Sequence, residues 1–212
     1  MYIPDDTERF ARRAVLSAVL RMTFSKIQVP LPKTDSHPKS KEFQHMFSII
    51  SAIGKNNELG KNNQLVFHIK DDMKFFRNTT MGHKIIMGHK TWDSLPSKLK
   101  GRENIVISRH DFEGPDLIIH DITKFIAEHE STPEEIFIIG GGTVYYQFLP
   151  YAKHIYLTEV DASAPDATTF FPEFDKSNYT QELIKKGTEN GLNYTITKYT
   201  KLTKEPNERP SI

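Results

Sequence analysis

Several features that would define a class of protein are missing from this 212-residue sequence. It contains no cysteine, which excludes disulfide bonds and thiolate metal sites and fits a reducing cytoplasm, where we expect the protein. No apolar run approaches the roughly 18 residues that a membrane-spanning helix needs. The formal net charge is only +1, so we expect neither nucleic acid nor a membrane as a partner.

What is present is the composition of a globular chain. Hydrophobic residues make up 37% and charged residues 26% of the sequence, and the length suffices for one domain with a buried core. The first 45 residues hold 8 Lys/Arg against 5 Asp/Glu, whereas the remainder holds 20 against 22. This shift marks a boundary, and we predict an extension over residues 1–45, a folded domain over residues 46–202 and a frayed tail over residues 203–212.

Three interpretations of the N-terminal extension stay open. Apolar residues recur near helical spacing over residues 8–24 and a proline-rich polar stretch follows, which predicts a segment that is partly helical or disordered. A targeting or membrane-surface helix is the second interpretation, although Asp5, Asp6 and Glu8 are unusual in a mitochondrial-type signal. The third is that Met46 is the natural start and that the extension is a misassigned upstream segment.

From Phe47 onward, strands alternate with short helices. The apolar runs FSIISAI, KIIMG, NIVISR, DLIIH, EIFIIGGG and HIYLTEV have the length and composition of buried strands. Helical patterns lie between them, in DDMKFFRNT, KTWDSL, ITKFIAEH and TVYYQFLP. Two alternating runs around Asn190-Gly191 indicate an antiparallel hairpin at a sheet edge. This order predicts an α/β fold around a largely parallel sheet.

An acidic residue at the start of a helix is the first candidate for chemistry. If Asp71 caps the helix in DDMKFFRNT, Asp72 lies in its first turn, and Phe75, Phe76 and Thr79 follow on the same face. The simpler explanation is that acids favour helix N-termini because of the helix dipole. The alternative is a carboxylate in an apolar pocket, where burial raises its pKa and suits it to protonation chemistry or to holding a cationic or amidine-like ring.

Two strand ends offer candidate anion sites. In EIFIIGGGTVYYQFLP a strand runs into three glycines and then a helix, but the G-x-G-x-x-G fingerprint is incomplete because Tyr145 stands at the third glycine. In HKIIMGHKTWDSL, His89, Lys90 and Thr91 open a helix directly after Gly88, without P-loop spacing. A tight turn or a solvated surface explains either segment alone, whereas the two together suit an extended dinucleotide across the sheet edge.

Taken in order, these segments resemble the dihydrofolate reductase family over about residues 47–201. The resemblance is carried by IISAIGKNNELG, DDMKFF, IIMGHKTWDSLP, LKGRENIVISR, IFIIGGGTVYYQFLP, IYLTEVDA and TFFPEF. It implies a central mixed, mostly parallel eight-stranded sheet flanked by about four helices, with an antiparallel C-terminal hairpin. It also implies NADPH-dependent reduction of 7,8-dihydrofolate to 5,6,7,8-tetrahydrofolate in one-carbon metabolism, by a protein that we expect to be a monomer.

The resemblance assigns a substrate pocket. It implies that Asp72 bonds the pterin 2-amino group and N3, supported by Thr158 through its hydroxyl and a water, and that Arg102 clamps the α-carboxylate of the glutamate. Hydride then passes from nicotinamide C4 to pterin C6, and a water rather than Asp72 itself brings the proton to N5. The residues that match positions lining the pterin and aminobenzoyl slot are Ile50, Ala52, Met73, Phe76, Leu95, Leu99 and Ile139.

The resemblance also assigns a cofactor site. It implies a cis peptide bond between Gly140 and Gly141, and it makes Lys90 and Arg109 the expected partners of the 2′-phosphate, which favours NADPH over NADH. Residues 54–69 match the loop that closes over the nicotinamide, and their asparagines and glycines suit mobility. The expected cofactor contacts are Ala52, Ile53, Gly60, Gly88, His89, Lys90, Thr91, Ser108, Arg109, Ile139, Gly140, Gly141, Gly142, Thr143, Val144 and Tyr145.

Val66 and Phe67 depart from the family pattern, which usually has Pro-Trp at this point of the loop. Phenylalanine cannot donate the hydrogen bond by which the tryptophan joins a water network, so we expect Phe67 at the catalytic centre with altered water order and weaker substrate binding. The reductase of riboflavin biosynthesis and a catalytically silent folate- or NADPH-binding paralogue stay as alternatives. Asp72 followed by Arg102 favours a folate, and Asp72 with Thr158 favours an active enzyme.

Overall fold

The chain folds around one long sheet. The computed structural model describes residues 47–129 and 132–202. Its strands are β1 Phe47–Ile53, β2 Glu58–Lys61, β3 Gln64–Leu65, β4 Lys84–Gly88, β5 Glu103–Ile107, β6 Leu117–Ile119, β7 Ile136–Gly140, β8 Ala152–Val160, β9 Thr169–Phe170, β10 Tyr179–Glu189 and β11 Leu192–Lys201. Its α-helices are α1 Lys70–Thr80, α2 His89–Ser94, α3 Ile122–Glu128 and α4 Gly142–Phe148. Every strand and helix predicted from Phe47 onward is present.

Eight of the strands form the main sheet, in the order β10-β11-β8-β1-β7-β4-β5-β6. Neighbours from β8 to β6 pair in parallel, and β11 pairs antiparallel with both β8 and β10. Asn190 and Gly191 connect β10 to β11 with φ of 53° and 77°, as a tight hairpin turn requires. The predicted mixed, mostly parallel sheet with a C-terminal hairpin is therefore confirmed.

Helices cover both faces of the sheet. On one face, α3 and α4 bury Phe125, Ile126 and Phe148 against strand residues such as Ile49 and Ile138. On the other face, α1 and α2 pack partly buried aromatic side chains against a second cluster of strand residues, which contains Ile50, Ile85, Met87, Val106 and Phe137. Both sides of the central strands are thus apolar, which explains why their sequences are continuous apolar runs rather than alternating ones.

The start of α1 corrects one prediction. The helix begins at Lys70 with Ile69 at the N-cap position, and Ile69 supplies no side-chain cap, so the expectation that Asp71 is the cap was wrong. Instead, the carboxylate of Glu189 at the end of β10 accepts hydrogen bonds from the backbone N–H groups of Lys70 at 2.9 Å and Asp71 at 3.3 Å. The cap thus comes from the C-terminal hairpin, far away in sequence.

The segment expected to be a mobile closing loop contains a small sheet of its own. Strand β2 pairs antiparallel with β3 and with β9, and the β2–β3 turn is made by Asn62 and Asn63, both with positive φ. This β2–β3 hairpin is therefore held by backbone hydrogen bonds rather than being irregular.

No helix in the described part of the chain is long and apolar enough to cross a membrane. The predicted extension over residues 1–45 and tail over residues 203–212 lie outside the described residues.

Candidate functional site

Asp72 and Thr158 form the polar centre of the site. Thr158 lies on β8, is 1% exposed, and donates a hydrogen bond from its hydroxyl to Oδ1 of Asp72 at 2.6 Å. Burial raises the pKa of the Asp72 carboxyl, and the hydrogen bond from Thr158 opposes that rise only in part. The pocket interpretation of Asp72, rather than the interpretation as an ordinary helix-start acid, therefore agrees with its surroundings.

Apolar side chains from α1, β7 and the loop after α2 form one cluster on this face of the sheet. Phe76 of α1 and Ile139 of β7 are partly buried and pack against the cluster that contains Ile50 of β1. The loop after α2 adds Leu95 and Leu99 to the same cluster. The sheet register places Ala52 directly beside Thr158. Of the residues expected to line the slot, one stands apart from the packed wall: Met73 is 51% exposed on α1.

Arg102 brings a positive charge to the outer part of the same face. Its Nη1 donates to the hydroxyl of Thr80 at 3.1 Å, and its guanidinium carbon lies 5.8 Å from the centre of the Phe76 ring. Burial, with a smaller effect from the nearby charge of Arg77, lowers the pKa of Arg102. Its Nε is buried and has no hydrogen-bond partner among the residues that the structure describes. A guanidinium in this state is suited to binding a carboxylate.

Asn104 shapes the loop that carries Leu99 and Arg102. It is completely buried, and its side-chain amide accepts from the Leu99 N–H at 3.0 Å while donating to the carbonyls of Leu99 at 3.0 Å and Arg102 at 2.9 Å. Sequence reasoning missed this residue, because an asparagine one position into an apolar strand carries no local signal of its role. A buried amide with all of these bonds satisfied fixes the loop conformation.

The glycine turn after β7 lies beside the pocket. The peptide bond between Gly140 and Gly141 is cis, and Gly140 has φ of +127°, which L side chains rarely adopt. Tyr145 of α4 points back and donates from its buried hydroxyl to the carbonyl of Ile50 at 2.9 Å. Burial raises the pKa of that hydroxyl far above its ordinary value, so it is held as a donor. Tyr145 therefore joins the glycine turn to β1 at the floor of the pocket.

The strand end at Gly88 lies next to the glycine turn. A Cβ placed on Gly88 would lie 3.2 Å from a Val144 side-chain carbon and 3.9 Å from the Gly140 carbonyl oxygen. A Cβ on Gly141 would lie 3.4 Å from Oγ1 of Thr91. Because β4 and β7 are parallel neighbours, their carboxyl ends meet here, and the structure brings together the two segments that the sequence analysis treated as separate candidate anion sites.

The remaining predicted cofactor residues divide into solvated and buried groups. Lys90 and Arg109 are exposed, as are the side chains of His89 and Thr143. The His89 ring is also stacked on Phe112, with 4.3 Å between the ring centres. Buried side chains that belong to the core or to internal hydrogen bonds are those of Ile53, Ser108, Val144 and Tyr145. Because their side chains are already buried or hydrogen-bonded, these residues can contact a ligand mainly through their backbone atoms.

The β2–β3 hairpin leads into Phe67 and carries the predicted contact residue Gly60. Phe67, directly after this hairpin, is partly buried against a cluster that contains Ile69, Val160 and Tyr194. The predicted contact residue Gly60 lies in β2, and its carbonyl accepts from the Thr168 N–H at 2.9 Å. Phe67 therefore packs in a different cluster from the one that contains Ile50, Leu95 and Leu99.

Two further residues near the site were not expected from the sequence. Glu58 opens β2 and is 2% exposed, although an acid beside a turn is ordinarily solvated. Glu189 caps α1, the helix that carries Asp72. Glu189 has no short-range signal, because the helix start that it caps lies more than 100 residues away along the chain. Glu58 bonds the nearby Asn56, but the segment that buries it also includes Ala164, 106 residues later.

Comparison with known proteins agrees with this arrangement. The family model described as dihydrofolate reductase matches residues 46–201. The chain is 37% identical over 149 residues to a dihydrofolate reductase of Bacillus subtilis, which covers 70% of this chain and 88% of that protein. It is 40% identical over 129 residues to one of Haemophilus influenzae, covering 61% of this chain and 80% of that protein.

A solved structure shows the same fold. The dihydrofolate reductase of Enterococcus faecalis complexed with NADP(H) and RAB-propyl superposes with a TM-score of 0.66 at 25% sequence identity, covering 75% of this chain and 98% of that chain. Residues 46–201, which the family model matches, include Asp72, the glycine turn and the strands of the main sheet. This chain therefore belongs to the dihydrofolate reductase family of enzymes.

Proposed function

We propose that this chain reduces 7,8-dihydrofolate to 5,6,7,8-tetrahydrofolate with NADPH, with hydride arriving at pterin C6 and a proton reaching N5 through a water. The observation that carries the proposal is the partly buried Asp72 carboxylate, which accepts a hydrogen bond from Thr158 at 2.6 Å on a face where apolar side chains cluster. The 2-amino group and N3 of a pterin form a paired donor, and two carboxylate oxygens are complementary to such a pair.

The rest of the pocket suits the rest of a folate. Phe76, Leu95 and Leu99 supply apolar surface for an aminobenzoyl ring. Arg102 lies beyond them with its Nε buried and without a partner among the described residues, so a glutamate α-carboxylate satisfies a donor that is otherwise costly to leave unpaired. Asn104 holds this loop in shape through three hydrogen bonds. Asp72, Phe76 and Thr80 follow one another along α1 at four-residue spacing, and Arg102 bonds Thr80 and lies 5.8 Å from the Phe76 ring. A carboxylate, an apolar side chain and a guanidinium thus follow in the order of the folate's own parts.

The residues present also fit NADPH. Gly88, Gly140 and Gly141 bring two strand ends so close that a side chain on Gly88 or Gly141 would touch neighbouring atoms. With glycine at these positions, no side chain of the turn stands between its backbone N–H groups and a phosphate. Lys90 and Arg109 are exposed cations near that edge and suit the 2′-phosphate. When bound, the cofactor supplies the hydride that pterin C6 accepts. The protein's part is to align the two rings and exclude water between them.

Asp72 does not need to reach N5 for this reaction. Its raised pKa, caused mainly by burial, makes it responsive to the protonation state of the ring that it binds. It orients the pterin and biases its protonation, and a water carries the proton to N5. We propose that Phe67, which packs near Val160 and Tyr194, faces N5 of the bound pterin. Phenylalanine cannot donate a hydrogen bond, so water order there differs from that beside a tryptophan. Kinetics and pH profiles of Phe67→Trp identical to those of wild type would remove this role.

The test is NADPH oxidation followed by absorbance with dihydrofolate as substrate. We expect turnover by the wild type and a loss in kcat/KM of about 100-fold or more in Asp72→Asn. Asp71→Asn is the matched control. Asp71 lies one residue earlier on α1, but it bonds Lys185 and Tyr194 of the C-terminal hairpin formed by β10 and β11. It should stay within a few fold of wild type. No wild-type turnover would refute the proposed reaction, and an undiminished Asp72→Asn would refute the role of Asp72.

A further inference from the structure

Glu58 is the only charged side chain that is buried among the residues the structure describes. It opens β2 and forms no ion pair with a cationic side chain in the described part of the chain. Its carboxylate instead accepts from the Asn56 backbone N–H at 2.7 Å, from the Asn56 side-chain amide at 2.9 Å and from the Ala164 backbone N–H at 3.1 Å. Burial favours the neutral acid, but these hydrogen bonds outweigh it and lower the pKa of Glu58, so the group is held as an anion.

The bond to Ala164 joins two separate segments. Residues 54–61 lead into and form β2, and residues 161–171 follow β8. Backbone hydrogen bonds run between them from the Lys55 N–H to the Ala162 carbonyl at 2.9 Å and from the Phe171 N–H to the Asn57 carbonyl at 2.8 Å. At the outer end, Lys61 and Asp166 form an exposed ion pair at 2.6 Å. Glu58 is the buried charged side chain within this seam.

Gly54 shows how closely the seam is packed. A Cβ added at Gly54 would lie 2.5 Å from Oε2 of Glu58, 2.8 Å from a ring carbon of Phe67 and 2.9 Å from the Ala162 carbonyl oxygen. The Glu58 carboxylate, the Phe67 ring and the segment after β8 therefore converge on one glycine. If the β2–β3 hairpin moves away from that segment, the Glu58 carboxylate loses its hydrogen bond from the Ala164 N–H. Space then opens beside the Phe67 ring.

We propose that Glu58 is a positioning residue for hydride transfer, whose buried carboxylate fastens the β2–β3 hairpin to the segment after β8 and so sets the placement of Phe67 at the reaction centre. A buried anion without a counter-charge is stable only while its N–H donors stay in place, so Glu58 favours the fastened arrangement over any in which the Ala164 bond is broken. The catalytic consequence rests on the proposed function, whereas the fastening itself does not.

Glu58→Gln is the principal variant. It keeps the volume but turns one acceptor oxygen into an NH₂ group, which faces an N–H donor. Loss of one charge-assisted hydrogen bond lowers the ratio of molecules with the hairpin fastened to molecules with it released by about tenfold. Asp166→Asn is the matched control, since it removes a carboxylate bond between the same two segments at a solvent-exposed place. Asn56→Ala is the second variant, because it deletes one donor to Glu58 from an exposed residue and leaves the buried carboxylate intact.

Two measurements test the proposal. In single-turnover experiments with dihydrofolate and NADPH, Glu58→Gln should transfer hydride about tenfold more slowly with the deuterium isotope effect retained, Asn56→Ala should shift in the same direction, and Asp166→Asn should match wild type. In limited trypsin digestion without ligands, cleavage after Lys61 should be faster in Glu58→Gln than in Asn63→Ser, a turn variant that also leaves Lys61 in place.

These measurements distinguish failure of the Glu58 proposal from failure of the proposed reaction. Wild-type hydride transfer in both Glu58→Gln and Asn56→Ala overturns the positioning role. Equal cleavage rates in all variants overturn the fastening. Digestion requires no turnover, so faster cleavage in Glu58→Gln together with an inactive wild type supports the fastening and refutes the reaction instead. If Glu58→Gln fails to fold, Asn56→Ala carries both readouts.

Discussion

Replacement of Glu189 by alanine tests how the helix that carries Asp72 is held. The Glu189 carboxylate accepts from the first two backbone N–H groups of α1, at 2.9 Å from Lys70 and 3.3 Å from Asp71, and Ile69 at the N-cap position offers no side-chain acceptor. Truncation of a helix-capping side chain costs about 1 kcal/mol. For a domain of this size, 1 kcal/mol corresponds to a fall in Tm of about 2–4 °C.

The assay is thermal denaturation at neutral pH, with Glu189→Gln and Glu182→Ala beside it. Glutamine keeps one acceptor oxygen, so we expect about half of the loss. Glu182 is an exposed glutamate on the same strand and should change Tm by less than about 1 °C, since exposed substitutions of this kind stay within about 0.5 kcal/mol.

Asp71 provides a second link between the C-terminal hairpin and the start of α1. It accepts from Lys185 at 2.6 Å and from the Tyr194 hydroxyl at 2.5 Å, so the hairpin still contacts the helix start when Glu189 is gone. We therefore expect a shifted Tm with a folded enzyme, and a raised KM for dihydrofolate because the first turn of α1 bears Asp72. A Tm equal to that of wild type, or equal losses in Glu189→Ala and Glu182→Ala, would refute the capping argument.

Three further predictions concern the pocket. Thr158→Val removes the donor to Asp72, so the pKa of Asp72 rises further and the acid limb of the kcat/KM profile moves to higher pH; an unchanged profile contradicts this. Because burial raises the folded-state pKa of Asp72 above its ordinary value of 3.8, the folded protein binds this proton more tightly, and stability falls as pH rises from 3.8 through the folded pKa. Denaturation across that range should be flatter in Asp72→Asn than in wild type. Tyr145→Phe leaves the buried Ile50 carbonyl without its 2.9 Å donor and should cost about 1–3 kcal/mol in urea unfolding, and a neutral result would show that the bond contributes nothing.

Local pattern was sufficient for most of the fold. Apolar runs such as FSIISAI and EIFIIGGG became β1 and β7, and the face of α1 that carries Phe75 and Phe76 packs inward, as helical spacing predicted. Asn190-Gly191 formed the expected hairpin turn. These features depend on neighbours a few residues apart, so periodicity and turn chemistry determine them.

The site needed contacts between distant segments. Asp72 had two interpretations from sequence, and the decisive partner, Thr158, lies 86 residues later. The capping prediction for Asp71 was wrong because the carboxylate that accepts from the first N–H groups of the helix belongs to Glu189, 119 residues beyond Lys70. The closing segment, expected to be mobile, forms β2 and β3 because β9 is available to pair with it.

The sequence by itself determined the α/β order, the apolar strands, the C-terminal hairpin and the family resemblance, because each depends on short-range periodicity and on motifs a few residues long. Only the tertiary structure decided which acids are buried and what they bond. Glu58 and Asp72 both stand near turns or helix starts, where a sequence predicts solvation, yet the sheet places an N–H donor beside one and a hydroxyl beside the other. Burial of a charge depends on donors brought from elsewhere in the chain, and the order of strands in the sheet sets which donors those are.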